Sequence, residues 1–171
     1  MSTSVQQTWV ALRAIVYSAG FVVLWWWAAV VVRRRYDPEL GVTLPGSLRP
    51  LGFVLAVAGA LLCLSCIATF VSRGEGTPAP FDAPRRFVAA GPYRYVRNPM
   101  YIGGIAVLAG AGLVLGSLSI LLLALVFWAL VHLLVRLYEE PTLEDQFGES
   151  YRDYKRRVHR WWPRFGAAKS G

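Results

Sequence analysis

Long uncharged stretches separated by short charged clusters run along this chain, a pattern that predicts membrane-spanning helices rather than a soluble core. The first uncharged run, Ala14–Val32, has 19 residues and matches one helical span. Trp25-Trp26-Trp27 and then Arg33-Arg34-Arg35 close it, an interfacial aromatic group followed by a basic stop. The second run, Leu51–Val71, has 21 residues and follows Pro50, which suits a helix start. Within it Gly52, Ala56 and Ala60 recur at four-residue spacing, so a neighbouring helix can come close there.

Residues 101–135 contain no Asp, Glu, Lys or Arg. As one helix they would be roughly 52 Å long against an apolar bilayer core of about 30 Å. The run is therefore expected to fold back, with Gly116-Ser117-Leu118-Ser119 as the turn. Gly112 and Gly116 form a GxxxG pair suited to tight packing in that hairpin. The expected fold class is all-α and integral membrane: about four transmembrane helices, a C-terminal helical hairpin and a cytoplasmic amphipathic tail helix. Residues 1–73 hold two spans. Residues 74–171 hold a Pro- and Gly-rich loop, irregular until a helix begins near Pro99, then the hairpin and the tail. In the tail, Thr142–Val158 carries Leu143, Phe147, Tyr151, Tyr154 and Val158 at helical spacing. This reads as a helix lying on the membrane, anchored by Trp161-Trp162 and ended by Pro163.

Charge sets the orientation. Four spans put both termini and the loop 72–100 on one side, with 14 Lys and Arg there against 4 in the opposite loop 33–50. That bias places the loop and tail in the cytoplasm, although Arg33-Arg34-Arg35 opposes it. The formal charge of +8 would suit nucleic acid, but the basic residues crowd the ends of apolar runs, where headgroup contact accounts for them. No nucleic-acid partner is expected. Cys63 and Cys66 are the only cysteines and there are two histidines, too few ligands for a metal site, so no metal is expected and the pair reads as packing residues. No basic segment precedes the long first run, so no cleavable signal is expected, and the terminal AAKSG is no lipidation box.

Two polar clusters bracket the hairpin. On one side, His132, Arg136 and Glu140 recur at i, i+4 and i+8, with Glu139 alongside, so a straight helix would present them on roughly one inward face. His132 there is either a packed histidine bonded to a carbonyl or part of a site, and Arg136 either snorkels to the interface or acts in it. On the other side, the segment GPYRYVRNPMYIGG (residues 91–104) offers Arg94 and Arg97 to hold a carboxylate, Gly91, Gly103 and Gly104 for close backbone approach, and Tyr93, Tyr95 and Tyr101 to stack on a base or face a cation. Pro99 leaves the next helix N-terminus open to an anionic group. A juxtamembrane Arg/Tyr belt is the plainer reading of the same residues. No Walker loop, dinucleotide fingerprint or HExxH box is present.

GPYRYVRNPMYIGG, an apolar hairpin, and then EEPTLEDQFGESYRDYKRRVHRWWPRF together resemble the isoprenylcysteine carboxyl methyltransferase and phospholipid methyltransferase superfamily. The resemblance covers about residues 74–165 and is particularly close to bacterial members, implying a bacterial inner-membrane protein. It implies S-adenosylmethionine as methyl donor and Tyr93, Arg97, Asn98, Pro99, Tyr101, Gly103, Glu139 and Glu140 as the residues that hold it, with help from Tyr151 and Tyr154. Arg97, Asn98, Arg136 and Glu140 are the candidate catalytic residues; Gly91 and His132 join the cofactor-binding set. Many relatives have His at the position of Asn98, and many have Pro before the tail arginine where this chain has His159-Arg160.

Methyl transfer is an in-line displacement that needs no metal; orientation and exclusion of water supply much of its acceleration. A carboxylate acceptor needs no base, whereas an amine needs one, and Glu140 or His132 are the candidates. The expected activity is methylation of a lipophilic, membrane-embedded acceptor, with phospholipid N-methylation as the alternative. A non-catalytic membrane partner, suggested by Asn98, and a sterol-reductase-like enzyme using a reduced nicotinamide cofactor are the other classes; the short chain argues against the last.

Overall fold

A computed structural model describes residues 3–73 and 89–164. Its helices are α1 (Thr3–Leu40), α2 (Arg49–Arg73), α3 (Pro99–Leu115), α4 (Leu118–Leu134), α5 (Glu140–Phe147) and α6 (Glu149–Arg157), with 3-10 turns at Gly46–Leu48 and Gly91–Arg94. Among the described residues there is no strand, only the isolated bridges Thr43–Ser117 and Val96–His159. Much of the expected irregular loop, including GEGTPAPFDAPRRF, lies outside the described residues.

The hairpin forms where bilayer thickness requires it. Gly116 caps α3 in the left-handed region (φ 65°), which favours glycine, and the Ser117 hydroxyl accepts from the Ile120 amide to start α4. Gly112 lets α4 approach, because a Cβ there would stand 2.8 Å from Leu121. Gly116, expected both in the turn and in that contact, makes the turn, and a Cβ on it would meet only Leu44.

The tightest helix pair is α2 with α3. A Cβ on Gly52 or Gly59 of α2 would stand 2.6–2.9 Å from atoms of α3, and one on Gly103 or Gly110 would collide with α2 in turn. The seam therefore runs Gly52–Ala56–Gly59. Ala60, expected in it, lines a cavity instead.

The basic triplet does not stop α1, which continues through Arg33, Arg34, Arg35 and Pro38 to Leu40 and gives way at Gly41 (φ 60°). The extra turns have a use. Asp37 accepts hydrogen bonds from the Ser119 amide (3.2 Å) and hydroxyl (2.6 Å), tying the end of α1 to the start of α4. Arg33 lies 3.9 Å from Asp37, and Arg35 pairs with Glu39. Asp37→Ala is expected to lower stability by about 1 kcal/mol, the usual worth of such a cap; an unshifted thermal unfolding midpoint in detergent would count against the tie.

Among the described residues, two stretches, Gly46–Ser72 and Leu118–Phe147, are long and apolar enough to cross a membrane, and α3 is a shorter apolar helix. Phe53, Val54 and Leu61 of α2 and Leu125, Val126 and Leu130 of α4 are exposed, an outer surface suited to lipid and unsuited to water.

The tail departs from expectation. Gly148 (φ 54°) divides it into α5 and α6, and its apolar stripe faces protein: Tyr151, Tyr154 and Val158 are buried with Leu143 and Phe147 against them. Of the two expected anchors, Trp162 is exposed, while Trp161 packs on the core beside His132.

Candidate functional site

Helix α4 carries the first half of the site through a change of pitch. Val135–Glu139 is a π-turn, and the Glu140 amide donates to the Val135 carbonyl five residues back. Pro141 supplies the local cause: it has no N–H for the Leu137 carbonyl, and its ring crowds that position. The wider turn replaces Glu139 with Glu140 at the inward position. Buried residues accordingly fall at Phe127, Val131, Val135 and then Glu140.

That geometry breaks the expected stripe. Arg136 is exposed while Glu140 is 5% exposed, so the two do not share a face. His132 sits farther along the helix, where its Nδ1 accepts from Trp161 Nε1 at 3.0 Å and its ring lies between Trp128 and Trp161.

The second half comes from the segment before α3, held by the returning tail. The Arg97 amide donates to the His159 carbonyl (2.9 Å), the Arg164 amide to the Tyr95 carbonyl (2.9 Å), and the Tyr154 hydroxyl to the Tyr93 carbonyl (2.6 Å). Asn98 joins the same junction, its Nδ2 donating to the Arg160 carbonyl at 3.2 Å. An amide side chain serves there as a brace between two segments, which requires no proton transfer.

Glu140 lies where the halves meet. Arg160 grips it with two parallel bonds, Nε to Oε1 and Nη2 to Oε2, both 2.7 Å. Lys155 Nζ stands 4.0 Å from Oε2 and bonds Glu144 at 2.8 Å. Arg97 Nη1 is 2.8 Å from Oε1. That distance makes an ion pair, since attraction between charges depends little on direction. As a hydrogen bond it fails, however: Arg97 Nη1 and Nε are both buried N–H groups with no well-directed acceptor among the described residues. Buried donors of this kind are costly unless a ligand accepts from them. The Glu140 carboxylate holds the Arg160 guanidinium's pKa above its ordinary value, and burial, then Glu140, pushes the Tyr151 hydroxyl up to about 12 against the opposing pull of Arg97. Tyr151 is therefore neutral beside the cluster.

Glu139 turns a different way and accepts a hydrogen bond from the Tyr101 hydroxyl of α3. Tyr101 also lines an apolar cavity of about 890 Å³ bounded by α1, α2, α3 and α4. Phe21, Trp25, Cys63, Leu64, Gly104 and Phe127 are among its walls, and Arg33 and Arg34 lie at its far end. The polar cluster and the apolar cavity thus meet at the Tyr101–Glu139 pair.

Arg97, Tyr101, Glu139 and Glu140 are brought together as the sequence suggests. Gly91, Tyr93, Pro99 and Gly103 have other surroundings. Gly91 takes a positive φ against Thr69 of α2, and Gly103 packs on Cys63 and Gly59. Pro99 is fully buried at the first turn of α3, whose N-terminus has no side-chain cap. Tyr93 packs edge-on to Phe70 with its hydroxyl bonded to buried Cys66, so its ring is part of the interior. Arg160 and Lys155 were missed as site residues. Arg160 stands within the tail motif that carries the resemblance, but only the tail's return brings it to Glu140.

Known proteins share both the sequence and the fold around this cluster. Residues 48–150 match the phospholipid methyltransferase family. The chain is 35% identical over 106 residues to a phosphatidylethanolamine N-methyltransferase of Talaromyces marneffei, covering 60% of this chain and 10% of that protein. It is 31% identical over 129 residues to methanethiol S-methyltransferase 1 of Bradyrhizobium diazoefficiens, covering 71% of this chain and 42% of the relative. The chain thus spans less than half the length of these curated relatives. A solved structure of the eukaryotic intramembrane Ras methyltransferase, isoprenylcysteine carboxyl methyltransferase, shares the fold with a TM-score of 0.56 and 23% identity, over 81% of this chain and 49% of that one.

Proposed function

Because the chain belongs to the phospholipid methyltransferase family, we propose that it is an S-adenosylmethionine-dependent methyltransferase acting on a lipophilic, membrane-embedded acceptor. The observation that carries this reading is the buried Arg97 guanidinium, whose Nε and Nη1 have no well-directed acceptor among the described residues, beside Glu140 and at the polar end of an apolar cavity. In this reading α1–α4 are four spans, the cluster faces the cytoplasm, and the acceptor enters the cavity from the bilayer. Phospholipid N-methylation is an equally supported form of the reading, favoured by the fungal relative.

The residues present fit the donor. Arg97 offers two N–H groups to its carboxylate, with Arg160 and Glu140 fixing the guanidinium in place. Glu139 and Tyr101 offer a carboxylate and a ring to a sulfonium. When bound, S-adenosylmethionine supplies an electrophilic methyl group. The chain's own work is to hold both reactants in line and keep water out; the apolar walls formed by Phe21, Trp25 and Phe127 achieve the second. Glu140, saturated by Arg160 and Arg97, anchors the site and is not free to accept a proton.

Calorimetric titration of the purified protein with S-adenosylmethionine tests the assignment. Arg97→Ala and Glu140→Gln are expected to weaken binding at least tenfold, on the order of one charge-assisted hydrogen bond. Unchanged affinity in both variants, with helical content retained, would remove these residues from the donor site.

A further inference from the structure

The cavity has a second end that the polar cluster does not use. Its wall on α3 runs from Tyr101 to Leu115, about 21 Å at the rise of a helix. Past Leu115 stands the hairpin turn, to which Asp37 fastens α1 through Ser119. Arg33 and Arg34, about one turn before Asp37, therefore line the cavity at the end remote from Glu140. Val22 and Trp26 of α1 and Leu64 of α2 line it and are also exposed, so the cavity opens sideways between these two helices. Walls so apolar exclude water, and in a bilayer the neighbour at such an opening is lipid.

Charge at this end is left unbalanced. Arg35 is matched by Glu39. Arg33 meets Asp37 only at 3.9 Å, and the other oxygen of that carboxylate already receives Ser119. Arg34 has no acidic or hydrogen-bonding side-chain partner among the described residues. Both arginines also run against the charge bias that orients the chain, and both precede residue 48, where the match to the family begins. Neither topology nor shared family sequence accounts for them. Two guanidiniums above an apolar shaft suit a phosphate joined to a hydrocarbon chain.

We propose that Arg33 and Arg34 hold the phosphate of an anionic phospholipid from the leaflet remote from Glu140, with one acyl chain lying in the cavity toward Tyr101. The proposal rests on the four-span reading above and is independent of the methyl-transfer chemistry. An ordinary acyl chain reaches the bilayer midplane, about 15 Å, half the thickness of the apolar core. Measured from Leu115, that reach ends near the level of Ile105. The chain thus fills the far part of the shaft and leaves the space beside Tyr101 and Phe127 to an acceptor, whose pocket it floors. An anionic lipid is preferred over a zwitterionic one, because the latter brings a cation of its own to an end already in excess of positive charge.

The test uses the full chain in nanodiscs with phosphatidylglycerol that carries a photoreactive group at the end of one acyl chain. After irradiation the label is expected on cavity residues at the level of the chain end: Gly104, Val107, Leu108 or Phe127. Label confined to outward residues such as Phe53 and Leu125 would overturn the proposal. Native mass spectrometry of protein extracted from mixed phosphatidylglycerol and phosphatidylcholine should show one phosphatidylglycerol retained in preference. Arg34→Gln is expected to weaken that retention about tenfold, the worth of one charge-assisted hydrogen bond. Arg35→Gln removes the same charge one residue away and should weaken it less than about twofold. Equal losses in the two variants would overturn the proposal by reducing the arginines to a diffuse headgroup belt. Ala111→Phe narrows the shaft and should also displace the lipid; undiminished retention in that variant, with helical content kept, would place the chain outside the cavity. Glycerol phosphate, which has the anion without the chain, should not compete, and competition at the concentration of the lipid would make this an anion site only. Thiol reagents that reach Arg35→Cys and Arg157→Cys from the same side of sealed vesicles would instead remove the four-span reading, and the leaflet assignment with it.

Discussion

Glu140→Ala should destabilise the protein by about 3 kcal/mol, because removing one partner of a buried ion pair leaves the others desolvated and uncompensated. Glu140 is the shared partner of Arg97 and Arg160, whose side chains are 11% and 26% exposed. The partial exposure of Arg160 lets water recover some of the loss, which puts the figure at the lower end of the usual range. The effect should be visible as a lowered unfolding midpoint and as faster tryptic cleavage at Arg156 and Arg157, since the carboxylate joins α4 to the tail. Glu140→Leu with Arg160→Met should recover part of the stability while still failing to bind donor. Equal midpoints and cleavage rates for Glu140→Ala and wild type would show that the backbone bonds at Arg97 and Tyr95 hold the tail alone.

The same exchange, glycine to alanine, should give opposite results at two positions of α3 six residues apart. At Gly110 the new Cβ would lie 2.6 Å from the Ala56 amide nitrogen and from the Gly52 carbonyl oxygen. Both are backbone atoms, so relief requires α2 and α3 to part by roughly 1 Å to reach ordinary contact. Overpacking of this kind costs about 1–3 kcal/mol, and close packing is much of what joins helices in lipid. At Gly104 the nearest atom would be Phe127 Cε1 at 3.5 Å, an ordinary contact, and better helix propensity should add up to about 1 kcal/mol. Gly110→Ala is thus expected to lower the yield of monodisperse protein and its midpoint, and Gly104→Ala to leave both intact or raised. A reversed order would refute the α2–α3 seam.

What could be read from the sequence follows from which physical constraint was local. The hairpin was legible because 35 uncharged residues (101–135) cannot fit a bilayer as one helix, and glycine beside two serines is suited to a turn. The close helix on α2 was legible from small residues, but choosing Gly59 over Ala60 depends on where Gly103 and Gly110 fall on the partner. Arg97 and Glu140 could be placed together because both bracket the same hairpin. Arg160 could not, since its approach depends on the tail folding back along residues 95–97. Tyr93 could not be assigned from sequence, because a tyrosine that stacks on a ligand and one that packs on Phe70, as Tyr93 does, look alike in composition. The tail's amphipathic stripe was read correctly as a stripe; protein rather than lipid covers it because Tyr154 finds the Tyr93 carbonyl.

The π-turn at Val135–Glu139 has a consequence for any substitution scan along this helix. Tolerance should oscillate with the α-helical period through Ile120, Ala124, Phe127, Val131 and Val135, then slip by about one residue and resume at Glu140. Deleting one residue among 136–138 would remove the slip and leave Glu140 four residues after Val135, still on the inward face of a regular helix. A chain lengthened there by one further residue would instead turn Glu140 by about 100° and lose the site with every side chain kept, because the information that joins Glu140 to Arg97 is carried by a count of residues as much as by their identity.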